Sequence, residues 1–140
     1  MIVLDASAAI ELLLSTDAGE AVARRISDPD EILHAPHLLA AEVAQVLRRY
    51  EAAGTITAED GAAALDDLVA LDIERHDHDS LLGRVWELRP NLTAYDALYV
   101  ALAEVLDAPL LTQDRKLAAA PGHNAAIELV PGRRTRPSHG

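Results

Sequence analysis

Short apolar runs alternate with longer amphipathic segments along this chain. Ile2-Val3-Leu4, Ile32-Leu33 with His34, Ile73 with its neighbours, and Leu110-Leu111-Thr112 have the length of strands, and Ala126–Val130 is a fifth candidate. Between them the apolar period changes to that of a helix. Leu39, Val43, Val46, Leu47 and Tyr50 fall on one helical face, and Gly54 stops that helix. A second helix runs from Thr57, as its cap, to about Leu71, and His78–Leu88 and Tyr95–Leu106 read as two more. Short buried strands that alternate with helices predict a parallel sheet covered on both faces. The expected fold is therefore α/β, a central parallel sheet of four to five strands flanked by helices. One domain is expected over residues 1–130, followed by a basic, flexible tail over 131–140.

Composition narrows the classes of function. Half of the 140 residues are hydrophobic, enough for a real core, which excludes disorder of the charged, core-poor kind. The absence of cysteine excludes disulfides, thiolate zinc sites and iron–sulfur clusters. The apolar runs are too short to span a bilayer, and Met1–Asp5 lacks the basic start of a signal peptide, so a soluble, cytoplasmic protein is expected, with no membrane partner. The net charge of −11 argues against a polyanionic partner. It is unevenly spread, however. Residues 115–140 hold five basic residues against Glu128, a net of +4, whereas residues 1–114 hold seven against 22 acidic ones, a net of −15.

The question becomes where those carboxylates go. Ligands of open parallel sheets bind beyond the carboxyl ends of the strands. Asp5 directly follows the first strand, and Asp114 follows Leu110–Thr112. Glu42 lies one turn inside the helix after the second strand, and Asp96 opens the helix that begins near Thr93. Each has a plain structural alternative: Asp5 and Asp114 as helix caps, Thr93 and Asp96 as an imitation of a capping box, Glu42 as a solvated helix residue. Gathered at one edge, though, like charges about 4 Å apart repel by about 4 kcal/mol per pair at an effective dielectric of ~20. A hard divalent cation such as Mg²⁺, which takes oxygen ligands, is the natural neutraliser. Such an ion lowers the pKa of bound water and offsets charge on a phosphate. Asp5 and Asp96 would be its ligands, Glu42 would orient or deprotonate the attacking water, and Asp114 would hold a second ion.

The sequence resembles a known family at these same residues. Asp5-Ala-Ser7 after the first strand, Pro36 leading to Glu42-Val43, Thr93-x-x-Asp96-Ala-x-Tyr99, and Leu-Leu-Thr112-x-Asp114 look like a PIN-domain ribonuclease, in particular the VapC-type toxins of bacterial toxin–antitoxin pairs. The resemblance covers about residues 1–130. It implies a parallel sheet with an acidic pocket, dependence on Mg²⁺ or Mn²⁺, and endonucleolytic cleavage of an RNA substrate. Carried over by position, Asp5, Glu42 and Asp96 match the metal-coordinating acids and Asp114 the more variable fourth. Ser7 and Thr112 match the hydroxyl residues that support the site, and Thr93 caps the helix of Asp96. The resemblance also implies a homodimer and a cognate VapB-like antitoxin, whose basic C-terminal segment crosses the groove and places an Arg or Lys among the acids.

Other patterns point elsewhere less well. His34-x-x-His37 straddles Pro36, and His76-Asp77-His78-Asp79 sits where Asp77 or Asp79 makes a helix cap; neither pair has a third ligand at zinc spacing. Ser7 has no nucleophile elbow around it, and Gly19, Gly54 and Gly61 form no phosphate loop. Arg133, Arg134 and Arg136 read as a solvated tail, and of Tyr95 and Tyr99 at least one is expected in the core. The alternatives are a receiver-like phosphoacceptor module, which wants paired acids after the first strand, and a catalytically inactive PIN-like binding module, which the presence of all four acids argues against.

Overall fold

β1 (Ile2–Leu4) is three apolar residues with every side chain buried, a composition suited only to the interior of a sheet. A computed structural model describes residues 1–131 and places it there. The chain continues as α1 (Ala6–Leu13), α2 (Asp17–Arg25), β2 (Leu33–Pro36), α3 (Leu38–Ala52), α4 (Ala58–Ala70) and β3 (Ile73–His76). A 3₁₀ turn at Asp79–Leu81 leads into α5 (Leu82–Glu87), α6 (Ala94–Leu106), β4 (Leu110–Thr112), α7 (Arg115–Ala119) and β5 (Ile127–Leu129). The five strands lie in the order β3-β2-β1-β4-β5, and every pair is parallel. The chain thus steps outward from β1 to β3, then crosses back to build β4 and β5 on the other side of β1. A receiver-like sheet has the order 2-1-3-4-5, so this topology excludes that alternative.

The core forms on both faces of β1. Leu39, Val43 and Leu47 of α3 are buried as the periodicity predicts, with Val46 and Tyr50 partly so. α6 is buried over seven consecutive residues, Ala97–Ala103, and its small residues let it pack closely against β1, β2 and β4. Caps define the helix starts. Asp5, Thr16, Thr57, Thr93 and Asp114 each have extended backbone and accept a bond from an amide of the first turn. Thr57 and Asp60 form a full capping box. Gly54, at φ 77°, closes α3 in the left-handed conformation expected of it. On the far edge, Arg25 donates twice to Glu128, at 2.8 and 2.9 Å, and ties α2 to β5.

Three expectations need adjustment. β2 begins at Leu33 rather than Ile32, whose side chain is half exposed, and it runs on to Pro36. The segment His78–Leu88 is not one helix: Asp77 Oδ1 accepts from Asp79 N at 3.1 Å, and this side-chain turn tightens the start into the 3₁₀ turn before α5. α2 was not among the helices expected, because its buried face consists only of Ala18, Gly19 and Val22. Gly19 is there for contact: a Cβ at this position would lie 2.0 Å from the Glu11 carbonyl oxygen, so α1 and α2 cross with almost no gap. Among the described residues no helix is long and apolar enough to cross a membrane. Arg133, Arg134 and Arg136, with most of the expected basic tail, lie outside the described residues.

Candidate active site

Strand order reverses between β1 and β4, and in such sheets the crevice at the reversal is where ligands bind. Asp5 leaves β1 at this point. Its amide still bonds the Leu111 carbonyl at 3.2 Å, while its side chain turns to cap α1, with Oδ1 accepting from Ala8 N at 2.9 Å and Ser7 Oγ at 2.7 Å. Ser7 reaches the other strand as well: its Oγ accepts from Gln113 N at 2.8 Å and lies 3.3 Å from Thr112 Oγ1. Thr112 Oγ1 in turn accepts from Asp114 N at 3.0 Å. The two hydroxyls therefore stitch the ends of β1 and β4 together and set where Asp5 and Asp114 stand. Asp114 also caps α7 through Lys116 N and Leu117 N. Capping and clustering are compatible, because a cap uses only part of a carboxylate's acceptor capacity.

The other two acids come from helices. Thr93 Oγ1 accepts from Asp96 N at 3.2 Å, which fixes the first turn of α6. Three residues on, on the same face, Tyr99 Oη donates to Glu42 Oε1 of α3 at 2.6 Å. Burial raises the carboxyl of Glu42, the Tyr99 bond lowers it and the charge of Asp96 raises it again. Asp96 is raised by burial and then by Asp114, with Thr93 opposing. Burial lifts Asp5 most, to about 6, against the pull of Thr112, Ala8 and Ser7, and Asp96 adds to the rise. Asp96 is thus the hub: its field reaches Asp5 and Glu42, and that of Asp114 reaches Asp96.

Two features were not singled out as part of the site from sequence. Tyr99, considered only for base stacking or the core, is buried and holds Glu42; its position three residues after Asp96 was the available signal. Arg49 lines a groove of about 340 Å³ with Leu38, Glu42, Gln45, Val46 and Tyr95. It lies seven residues, two helical turns, after Glu42, which places a cation on the acid-bearing face of α3. Tyr95 is exposed beside that groove. His37, by contrast, does not meet His34, and His78 Nε2 is spent accepting from Leu38 N at 3.1 Å.

The donor set of the crevice is carboxylate and hydroxyl oxygen, with neither sulfur nor imidazole, which suits a hard divalent cation. Burial raises Asp5 and Asp96, Asp96 adds to the rise of Asp5 and Asp114 to that of Asp96, and a cation would relieve that repulsion. Comparison with known proteins agrees with this architecture. The PIN domain family profile matches residues 2–122. Ribonuclease VapC1 of Mycobacterium tuberculosis is 47% identical over 129 residues, 91% of this chain and 96% of that protein. Ribonuclease VapC12 of the same organism is 44% identical over 130 residues, 93% and 99% of the two chains. Among solved structures, VapBC2 from Rickettsia felis, bound to a DNA fragment from its promoter, has the same fold at a TM-score of 0.68, with 16% identity over 92% of this chain and 98% of that one. With a profile over most of its length and relatives aligned nearly end to end, the chain belongs to the PIN-domain family and, within it, to the VapC ribonucleases.

Proposed function

We propose that the chain is the toxin of a VapBC-type pair, a cytoplasmic endoribonuclease that cleaves RNA phosphodiester bonds at Asp5, Glu42, Asp96 and Asp114. The observation that carries this reading is the pair of hydrogen-bonded links that set the acids: Ser7 and Thr112 join the ends of β1 and β4, which bear Asp5 and Asp114, and Tyr99 of the Asp96 helix bonds Glu42 of α3. Asp5 and Asp96 would hold a Mg²⁺ or Mn²⁺ ion, with Asp114 on the side of a second. When bound, such an ion supplies Lewis-acid stabilisation of the phosphate and a lower pKa for water. Glu42 would take a proton from the attacking water as its oxygen bonds to phosphorus; the phosphorus–oxygen bond to the leaving group breaks, and the departing oxygen takes a proton from solvent. Tyr99 keeps the Glu42 carboxylate aimed, and since burial and that carboxylate push its phenol up, it remains a donor throughout. Ser7, Thr112 and Thr93 hold the acids in place, and Arg49 offers a charge-assisted contact to a neighbouring phosphate.

The groove beside Glu42 suits an antitoxin segment that packs apolar residues on Leu38, Val46 and Tyr95 and extends an Arg or Lys toward the acids. Leu82, Trp86 and Val105, exposed on the adjacent helices α5 and α6, support a homodimer. Induced expression with and without the neighbouring open reading frame, followed by mapping of RNA ends, tests the whole reading. New ends and growth arrest are expected from the chain alone, and neither from Asp96→Asn. Unchanged RNA, or equal cleavage by the variant, would overturn it.

A further inference from the structure

The histidines that sequence spacing pairs with the wrong partners meet one another in the fold. His34 on β2 stands in register with Glu74 on the edge strand β3, and His76 follows two residues later. In-register partners and i, i+2 neighbours share one face of a sheet, so all three side chains rise on the same side. His34 Nδ1 lies 3.0 Å from His76 Nε2 and 3.6 Å from Glu74 Oε2. One ligand atom from each residue falls within 4.8 Å of the others.

Those separations have a chemical meaning. Around tetrahedral zinc, with bonds of about 2.0–2.1 Å, ligand atoms lie about 3.3 Å from one another. The two measured spacings bracket that edge. His34 is buried at 4% exposure, whereas the Glu74 side chain is 61% exposed, so the cluster is closed on the inside and open to water on the outside. The other nitrogen of His34, Nε2, is buried without a hydrogen-bond partner among the described residues. Without an ion, Nδ1–H can donate to His76 Nε2; an ion bound at Nδ1 would place the proton on Nε2.

We propose that His34, Glu74 and His76 form a second cation site, selective for Zn²⁺ or a similar borderline ion, with a fourth position open to water. Two nitrogens and one carboxylate set it apart from the all-oxygen crevice, since imidazole favours Zn²⁺, Cu²⁺ and Ni²⁺ whereas carboxylate alone favours Mg²⁺ and Mn²⁺. It is also separate in the fold, on β2 and β3 rather than at the ends of β1 and β4. A bound ion clips the edge strand to its neighbour. Because the His76 carbonyl accepts from His37 N at 2.9 Å, that clip also anchors the start of α3, the helix that carries Glu42.

The test uses the whole chain, stripped with a chelator and then given saturating Mg²⁺ to occupy the acidic crevice. Titration with Co²⁺ should produce the intense visible absorption of a tetrahedral site at one equivalent, displaced by Zn²⁺. Asp96→Asn should keep that band, and His76→Ala should lose it. Glu74→Gln, at an exposed position where folding is not at risk, should weaken Co²⁺ binding at least about tenfold. Circular dichroism establishes that each variant is folded; if His76→Ala is not, Glu74→Gln decides alone. A weak octahedral spectrum, a band that Asp96→Asn abolishes, or a Glu74→Gln titration identical to wild type would overturn the proposal and leave an imidazole–imidazole hydrogen bond.

Discussion

At Asp5, one carboxyl caps α1 through Oδ1 and yet titrates near 6 rather than near its ordinary 3.8. Between those values the folded chain holds a proton that the unfolded chain has released, so stability falls as pH rises through this window. A rise of that size removes roughly 3 kcal/mol across the window, with Asp96 and Glu42, also raised, adding in the same direction. In chelator, urea midpoints should therefore drop from pH 4 to pH 6.5 and level off above. Asp5→Asn keeps the cap, since Asn serves as well as Asp at that position. It should flatten the profile and raise stability at pH 7.5 while abolishing cleavage; a slope equal to wild type would remove Asp5 from this account. Tyr99→Phe deletes the donor that lowers Glu42, so the acidic limb of the cleavage–pH profile should move to higher pH. Asp5 and Asp114 were legible because strand ends announce themselves in an apolar run. The Tyr99–Glu42 bond was not, since it joins residues 57 apart and exists only once α3 and α6 have packed.

Helices and strands divide between those with a local signature and those made by tertiary contact. α3 was readable from a repeating apolar face, and α4 from the Thr57 cap. Thr57→Ala should cost about 1 kcal/mol in chemical denaturation and leave cleavage unchanged, because α4 contributes no acid to the crevice. α2 belongs to the other class. It is amphipathic, but its buried face is built of the small residues Ala18, Gly19 and Val22 and is set by the close crossing with α1 at Gly19. Gly19→Ala places a methyl against the Glu11 carbonyl and should destabilise by about 1–3 kcal/mol, whereas an alanine at an ordinary exposed helix position would stabilise. A neutral or stabilising result would show that the two helices have room to separate. The split of His78–Leu88 has the same lesson in miniature: hydrophobic spacing does not register the side-chain turn at Asp77.

For the whole molecule, a net charge of −11 sets the terms on which partners approach. The carboxylates proposed as a metal cage reverse the local sign only when loaded, so RNA affinity should rise with Mg²⁺. A basic peptide such as the antitoxin segment proposed above should bind best without it, and that binding should weaken with added salt. Mg²⁺ at ~100 times its dissociation constant should add about 2.7 kcal/mol to stability, an increment that thermal melts should detect in the wild type and lose in Asp96→Asn. The class of fold and the sheet edge at which Asp5 and Asp114 stand were legible, since both follow from alternating elements. The strand order was not: nothing local says that β4 pairs with β1 rather than with β3. The cluster of His34, Glu74 and His76 was hidden for that same reason, as it depends on the pairing of β2 with β3.

The hydroxyl stitch between Ser7 and Thr112 spans 105 residues of chain. During synthesis Asp5 is made long before the strand that forms the opposite wall of its crevice, which is complete only at Thr112. A nascent chain therefore cannot assemble the crevice between β1 and β4 until β4 has been made.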